Sequence, residues 1–366
     1  MTEDTEQTLS WIGLIGVPGV GRATFRKLVN AFGSPRTVLT ASSADLREHG
    51  GVTERIAAAI AAHPWHEQAE RELELARASG VSIITADDAS YPEALIRTPD
   101  PPLFLYVRGC ILPSDEKALA IVGTRTPTHY GLTATHRIAY DLGTAGVTVV
   151  SGLARGIDTQ AHKGALAARG RTIAVLGCGI DVAYPPENRE LMERIAASGA
   201  VISENPFGTQ PESGYFPARN RIISGLSRGT VIIEASEDSG SLITADYAVK
   251  QKRMLFAVPG NIGSPTSRGP NSLIKNGALL VETAGDILSR FGGSAAPAAP
   301  PEPELGNLSE EERSVFGALG AEPKHIDLLL ASCNTSSGRL SGVLTTLELK
   351  GLVKQLPGKY FIRDRN

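Results

Sequence analysis

Aromatic residues make up only 5% of this 366-residue chain, and cysteines number three. Cys110, Cys178 and Cys333 form no CxxC pair and leave an odd count, which excludes a disulfide framework and a zinc ribbon. No apolar run is long enough to span a bilayer. The N-terminus, MTEDTEQTLS, is acidic and polar where a secretion signal has a basic start and an apolar core, so a cytoplasmic location is expected. Strong charge of one sign is also missing: the net charge is −3. By region, only residues 111–291 carry an excess of basic groups, 18 against 16 acidic. An anionic polymer therefore has to be met in a focused groove and not on a basic face.

Catalytic signatures are missing as well. No HExxH pair or GK[ST] phosphate loop occurs, and no GxGxxG opens the first strand–helix unit. His162 has no Cys or second His at ligand spacing, so a packing role is expected and no metal. These absences point to a protein that binds without catalysis and needs no cofactor.

What is present is a run of apolar strands. ALAIVG, VTVVSG, RTIAVLG, AVISE, GTVIIEA, MLFAVPG and ALLVE recur between residues 118 and 283 with crossover-length connections. That alternation predicts an α/β fold: an extended Rossmann-like, doubly wound, mainly parallel sheet. Such sheets bind ligands beyond the carboxyl ends of their strands. The expected divisions are a helical domain over 1–80, the Rossmann-like domain over 81–291, a linker over 292–304 and a terminal domain over 305–366. The linker, GGSAAPAAPPEPE, has the composition of a solvated spacer.

Polar, Gly-rich turns follow the strands, and three of them have the makings of a phosphate site. In GTRTPT, Gly123 permits close approach, and Thr124 and Arg125 offer hydroxyl and guanidinium donors. In SGLARGID, Gly152 and Gly156 suit a tight turn, Arg155 reaches outward and Asp158 is the expected helix cap. In EDSGS, Ser239, Gly240 and Ser241 form a candidate anion-binding nest. The most informative segment is FPARNRIISGLS, which is expected to place Arg219, Asn220 and Arg221 at the start of a helix. Together these turns predict a nucleic-acid backbone site. With so few aromatics, electrostatics and backbone N–H groups are expected to outweigh base stacking.

The flanks agree. Residues 11–32 read as a helix, a GVPGVG hairpin and a second helix, the pattern of a helix–hairpin–helix in a SAM-like domain, with Arg22, Arg26 and Lys27 behind the turn. The tail has the rhythm of a winged helix, with Ser336 as the expected cap of its third helix and Leu340, Val343, Leu344, Leu347 and Leu349 as its core face. Arg339 is its one clear base-reading side chain, which favours an accessory or protein-binding role.

Taken in order, YPEALIRTPDPPLFLYVRG, VGTRTPTHYG, SGLARGIDTQAH, GCGIDVAYPPEN, ENPFGTQP, FPARNRIISGLS, SGSLITADYA, FAVPGNI and GPNSLIKNGA closely resemble the DNA processing protein A (DprA/Smf) family of bacteria. The resemblance implies a homodimer that binds and protects incoming single-stranded DNA during natural transformation and helps load the RecA recombinase. It places the key arginine of the family's G-S/T-R motif on Arg125 and the basic cluster of F-P-x-R-N-R on Arg219 and Arg221. It also implies a dimer seam near 270–290, for which Leu273, Ile274, Leu279 and Leu280 are the candidates. The alternative reading is a nucleotide-binding or phosphoribohydrolase-like enzyme on the same fold, although DSGS stands where that class carries PGGxGT.

Overall fold

The computed structural model describes residues 3–291, 308–320, 323–333 and 335–363; the expected linker at 292–304 lies outside the described residues. Nine strands form one sheet: β1 (Val81–Thr85), β2 (Phe104–Gly109), β3 (Leu119–Val122), β4 (Val149–Ser151), β5 (Thr172–Leu176), β6 (Ala200–Ser203), β7 (Gly229–Ile232), β8 (Met254–Ala257) and β9 (Leu279–Leu280). Their order is β1-β2-β6-β5-β4-β3-β7-β8-β9. The seven strands from β3 onward are parallel, while β2 pairs antiparallel with both β6 and β1. The expected fold is therefore present, lengthened by an antiparallel edge.

Side-chain alternation explains the two covered faces. Leu119 and Ile121 of β3 join a core cluster with Ile138, Leu142, Ile157 and Ala161, from the helices His129–Thr144 and Ile157–Ala167. Ala120 and Val122 join another with Ile222, Ile223 and Ala245, from the helices Tyr215–Gly225 and Gly240–Lys250. The chain winds from β3 outward to β6 and then restarts at β7 on the other side of β3, so the topological switch point lies between β3 and β7.

The N-terminal helices do not form a separate ball. Trp11, Leu14, Phe25 and Leu28 share one core cluster with Leu103, Phe104, Tyr106 and Leu176 of the α/β body. Glu72 adds a polar tie, accepting hydrogen bonds from Tyr106 Oη at 2.7 Å and from the backbone N–H of Phe207 at 2.9 Å. In the tail, helices Glu310–Ala318, Ile326–Ser332 and Ser337–Leu349 pack with the strands β10 (Lys324–His325), β11 (Val353–Leu356) and β12 (Tyr360–Arg363). Leu340, Leu344 and Leu347 are buried as expected, but Leu349, at the helix end, is 85% exposed. Ser336 occupies the cap position without a side-chain cap bond.

Candidate nucleic-acid interface

A cleft opens at the carboxyl ends of β3, β4 and β5. Arg125, Gly152, Arg155, Gly177, Phe216 and Arg219 are among its lining residues. Each gets there for a local reason. Arg125 is exposed in the turn after β3, and its guanidinium carbon lies 5.5 Å from the centroid of the Phe216 ring. Phe216 in turn lies against Tyr184, ring centroids 5.5 Å apart. Two of the chain's few aromatics thus meet at the cleft, so low overall aromatic content does not deprive this site of a flat apolar surface.

Arg219 forms the floor. It lies in the middle of the Tyr215–Gly225 helix, not at its start as expected; Pro217 is accommodated in the first turn, where no N–H is required, so the helix begins earlier. The Arg219 side chain is buried, donating through Nη1 to the Gly152 carbonyl at 2.7 Å and to the Val175 carbonyl. Burial lowers its pKa to about 10, with the Asp158 carboxylate acting in the opposite direction. It remains a cation at neutral pH, fixed between strand ends.

Asp158 does not cap its helix. It lies within the first turn and accepts from the N–H of Gly152 at 3.1 Å, bracing the loop before it. Burial raises its pKa, opposed by Arg219 and by the backbone donors of Ala154 and Gly152. His162 is a packing residue, its Nδ1 2.7 Å from Thr172 Oγ1.

Arg221, expected beside Arg219 as a phosphate ligand, does not line the cleft. Two residues along a helix from Arg219, it faces another direction. Its guanidinium is buried against Glu204, with both carboxylate oxygens 2.6 Å from Nη2, and donates to the Asp100 carbonyl at 3.0 Å. Arg155 does line the cleft but is ion-paired with Glu187. Both partners are exposed, so the pair is weak and separable.

The other turns lie elsewhere. Gly123 serves a close approach between protein segments: a Cβ there would stand 2.6 Å from Ile157 Cγ1 and 2.9 Å from the Glu234 carbonyl oxygen. Thr124 donates its N–H to that same carbonyl at 2.7 Å. At the switch point the buried Glu234 carboxylate already occupies the helix start, accepting from Thr128 N–H at 2.8 Å and Thr128 Oγ1 at 2.6 Å. An internal carboxylate therefore holds the place expected for phosphate, and the open cleft is displaced toward β4 and β5. Ser239 caps the Gly240–Lys250 helix, its Oγ accepting from Ser241 N–H. Asn220 Nδ2 donates to the Gly240 carbonyl at 3.3 Å. Asn220, Ser239, Gly240 and Ser241 do not line the cleft.

The basic residues behind the N-terminal hairpin are also engaged. Arg22 and Arg26 pair with Asp100 at 3.0 and 2.9 Å, and Lys27 Nζ donates to the Gly51 carbonyl at 2.6 Å. Of the expected seam residues, Leu273 and Leu279 pack against the core, Ile274 is half-buried and Leu280 is exposed on the edge strand.

A doubly wound α/β body with a cationic, aromatic-rimmed cleft at its strand ends, set between helix–hairpin–helix and winged-helix modules, defines a class of multi-module DNA-handling proteins. The family model described as DNA recombination-mediator protein A matches residues 82–292, flanked by a SAM-like helix-hairpin-helix tandem at 12–63 and a DprA winged helix domain at 296–359. The chain belongs to the DNA recombination-mediator protein A (DprA/Smf) family. It is 34% identical to the protein Smf of Synechocystis over 96% of this chain and 98% of that protein. It is 40% identical to the DNA processing protein DprA of Bacillus subtilis over 62% and 77%. The structure of DprA from Streptococcus pneumoniae superposes with a TM-score of 0.67 at 31% identity, covering 80% of this chain and 99% of that one. A structure of DNA processing protein A from Helicobacter pylori, solved for its single-stranded DNA binding mode, gives 0.52 at 32% identity, covering 58% and 97%.

Proposed function

We propose that this protein binds single-stranded DNA in the cleft at the ends of β3, β4 and β5, without catalysis, as a DNA-processing protein of transformation and recombination. The observation that carries the reading is the juxtaposition of exposed Arg125 with the Phe216 ring above the fixed cation Arg219. A flexible strand needs both features: a cation for the backbone phosphate and an aromatic face for an unstacked base. The relative from Helicobacter pylori, whose structure addresses single-strand binding, supports the same class of ligand. Membership of the family further supports a homodimer that hands its strand to a RecA-type recombinase, with the winged-helix tail as an accessory module.

The test is titration of a fluorescent oligonucleotide against Arg125→Ala and Phe216→Ala. Arg125→Ala weakens binding and lowers the salt slope by roughly 0.7 per lost phosphate contact; Phe216→Ala weakens binding with the slope unchanged. Wild-type affinity in both variants removes the cleft as the site.

A further inference from the structure

Beside the cleft runs a second depression, where the N-terminal helices meet the segments around Asp100, Glu204 and Arg219. It is a groove of about 710 Å³ between the N-terminal helix–hairpin–helix and the Tyr215–Gly225 helix. That volume falls within the ~300–1,000 Å³ of sites that take small organic ligands. Arg22, Ala23 and Arg26 line it from the N-terminal side, and Glu204, Asn205 and Tyr215 from the α/β body. It is continuous with the cleft, because Leu176 and Arg219 line both.

Its charge is unbalanced. Its lining carries Arg22, Arg26 and Arg219 against Asp100 and Glu204, and the two carboxylates pair with Arg22 and Arg26 and, behind the wall, with Arg221. Burial favours the neutral form of Asp100, yet the hydrogen bond from Arg26 and the charges of Arg22 and Arg221 outweigh it and hold its pKa below the usual carboxylate range. Asp100 therefore stays ionised, and the lining carries one more cation than carboxylate. Tyr215, 37% exposed, supplies an aromatic ring on the wall next to Phe216 in sequence.

We propose that this interdomain groove is a second nucleotide subsite, receiving the nucleotide that follows the one held in the Arg125 cleft along the same single strand. The inference rests on the single-strand reading of that cleft. Arg219 is the divide over which the backbone passes, Tyr215 stacks the second base, and Arg22 and Arg26 face its phosphate. Their pairing with Asp100 holds both guanidinium groups in place before the strand arrives, which spares the ordering of long side chains on binding. The helix–hairpin–helix then contributes to single-strand binding through the first turn of its second helix.

Ala23 is exposed and makes no polar contact, so it can be changed without disturbing the clamp. Ala23→Glu and Ala23→Arg in the full chain are compared by fluorescence anisotropy on an oligonucleotide of about twelve residues, within the span of single-strand sites. Ala23→Glu is expected to weaken binding several-fold and Ala23→Arg to tighten it, with opposite changes in salt slope. Tyr215→Leu, at unchanged charge, loses several-fold with no change in slope. Thermal melting confirms that all three fold. If the Ala23 pair or Tyr215→Leu binds as wild type while Arg125→Ala is impaired, the subsite is wrong and the cleft stands. If Arg125→Ala binds as wild type while the groove variants shift, the cleft reading fails instead.

Discussion

The guanidinium of Arg219 rests against Gly152: its Nη1 donates to the Gly152 carbonyl at 2.7 Å, and a Cβ on residue 152 would stand 2.5 Å from that nitrogen. The glycine is therefore required by a side chain 67 positions away. Gly152→Ala is expected to expel the guanidinium, leave the Val175 carbonyl without its donor and cost about 1–3 kcal/mol of stability. Single-strand affinity should fall with it. Melting curves and oligonucleotide titration of the one variant check both, and unchanged values for both would deny Arg219 its place as the cleft floor.

Arg221 predicts the opposite pattern from Arg125. With its side chain 4% exposed and paired to Glu204 and Asp100, its replacement by Ala removes the bidentate partner of Glu204 and the donor to the Asp100 carbonyl, while Asp100 keeps Arg22 and Arg26. A loss of about 1–3 kcal/mol is expected, the cost of leaving hydrogen-bonding partners unmade. Denaturant unfolding should register that loss, while the salt slope of DNA binding by the folded fraction stays as in wild type.

His162 sets an acid limit. Burial lowers its pKa to about 3, reinforced by the Arg219 charge, from 6.5 in the open chain. Above pH 6.5 the ring is neutral in both folded and unfolded states and contributes no pH dependence. Between 6.5 and 3 the unfolded state takes up a proton that the folded state refuses, so stability falls by up to about 1.4 kcal/mol per pH unit. Unfolding free energies at pH 7.0 and 5.5 should differ by roughly that amount for each unit below 6.5, and His162→Gln should flatten this part of the profile.

Leu280 is the seam candidate that remains available. It is 48% exposed on β9, the sheet's last strand, which among the described residues pairs with β8 alone. An unpaired strand edge with an exposed leucine suits edge-to-edge association of two copies. Leu280→Lys should yield a folded monomer in sedimentation at micromolar concentration, with weakened grip on long strands because two linked sites no longer act together. A wild-type protein that sediments as a monomer would exclude the seam.

The sheet was legible because the parallel strands are short apolar runs, most of them rich in β-branched residues, separated by polar turns and helical stretches. Buried on both faces, such strands need no partner information to be recognised. The site was legible in composition but not in direction. FPARNR announces two arginines, but which one faces the cleft depends on the helix phase. That phase shifts once the helix is seen to start at Tyr215 and carry Pro217 in its first turn. Arg22 and Arg26 were legible as cations, but the acid they meet, Asp100, lies 78 and 74 residues further on in a loop, and nothing local marks such a pairing. Glu234 escaped notice for the same reason: its partner Thr128 is 106 residues earlier.

The core shared by Trp11, Leu14 and Phe25 with Phe104, Tyr106 and Leu176 bears on how this architecture can be rearranged. A front module joined only by a tether could be deleted, duplicated or exchanged by cutting at one peptide bond. Here, removal of the first eighty residues would expose the aromatic faces of Phe104 and Tyr106 to water. Any lineage that discarded those residues would have had to rewrite the outer strands at the same time, so gain or loss of the front module is a coordinated change in two distant stretches of the gene.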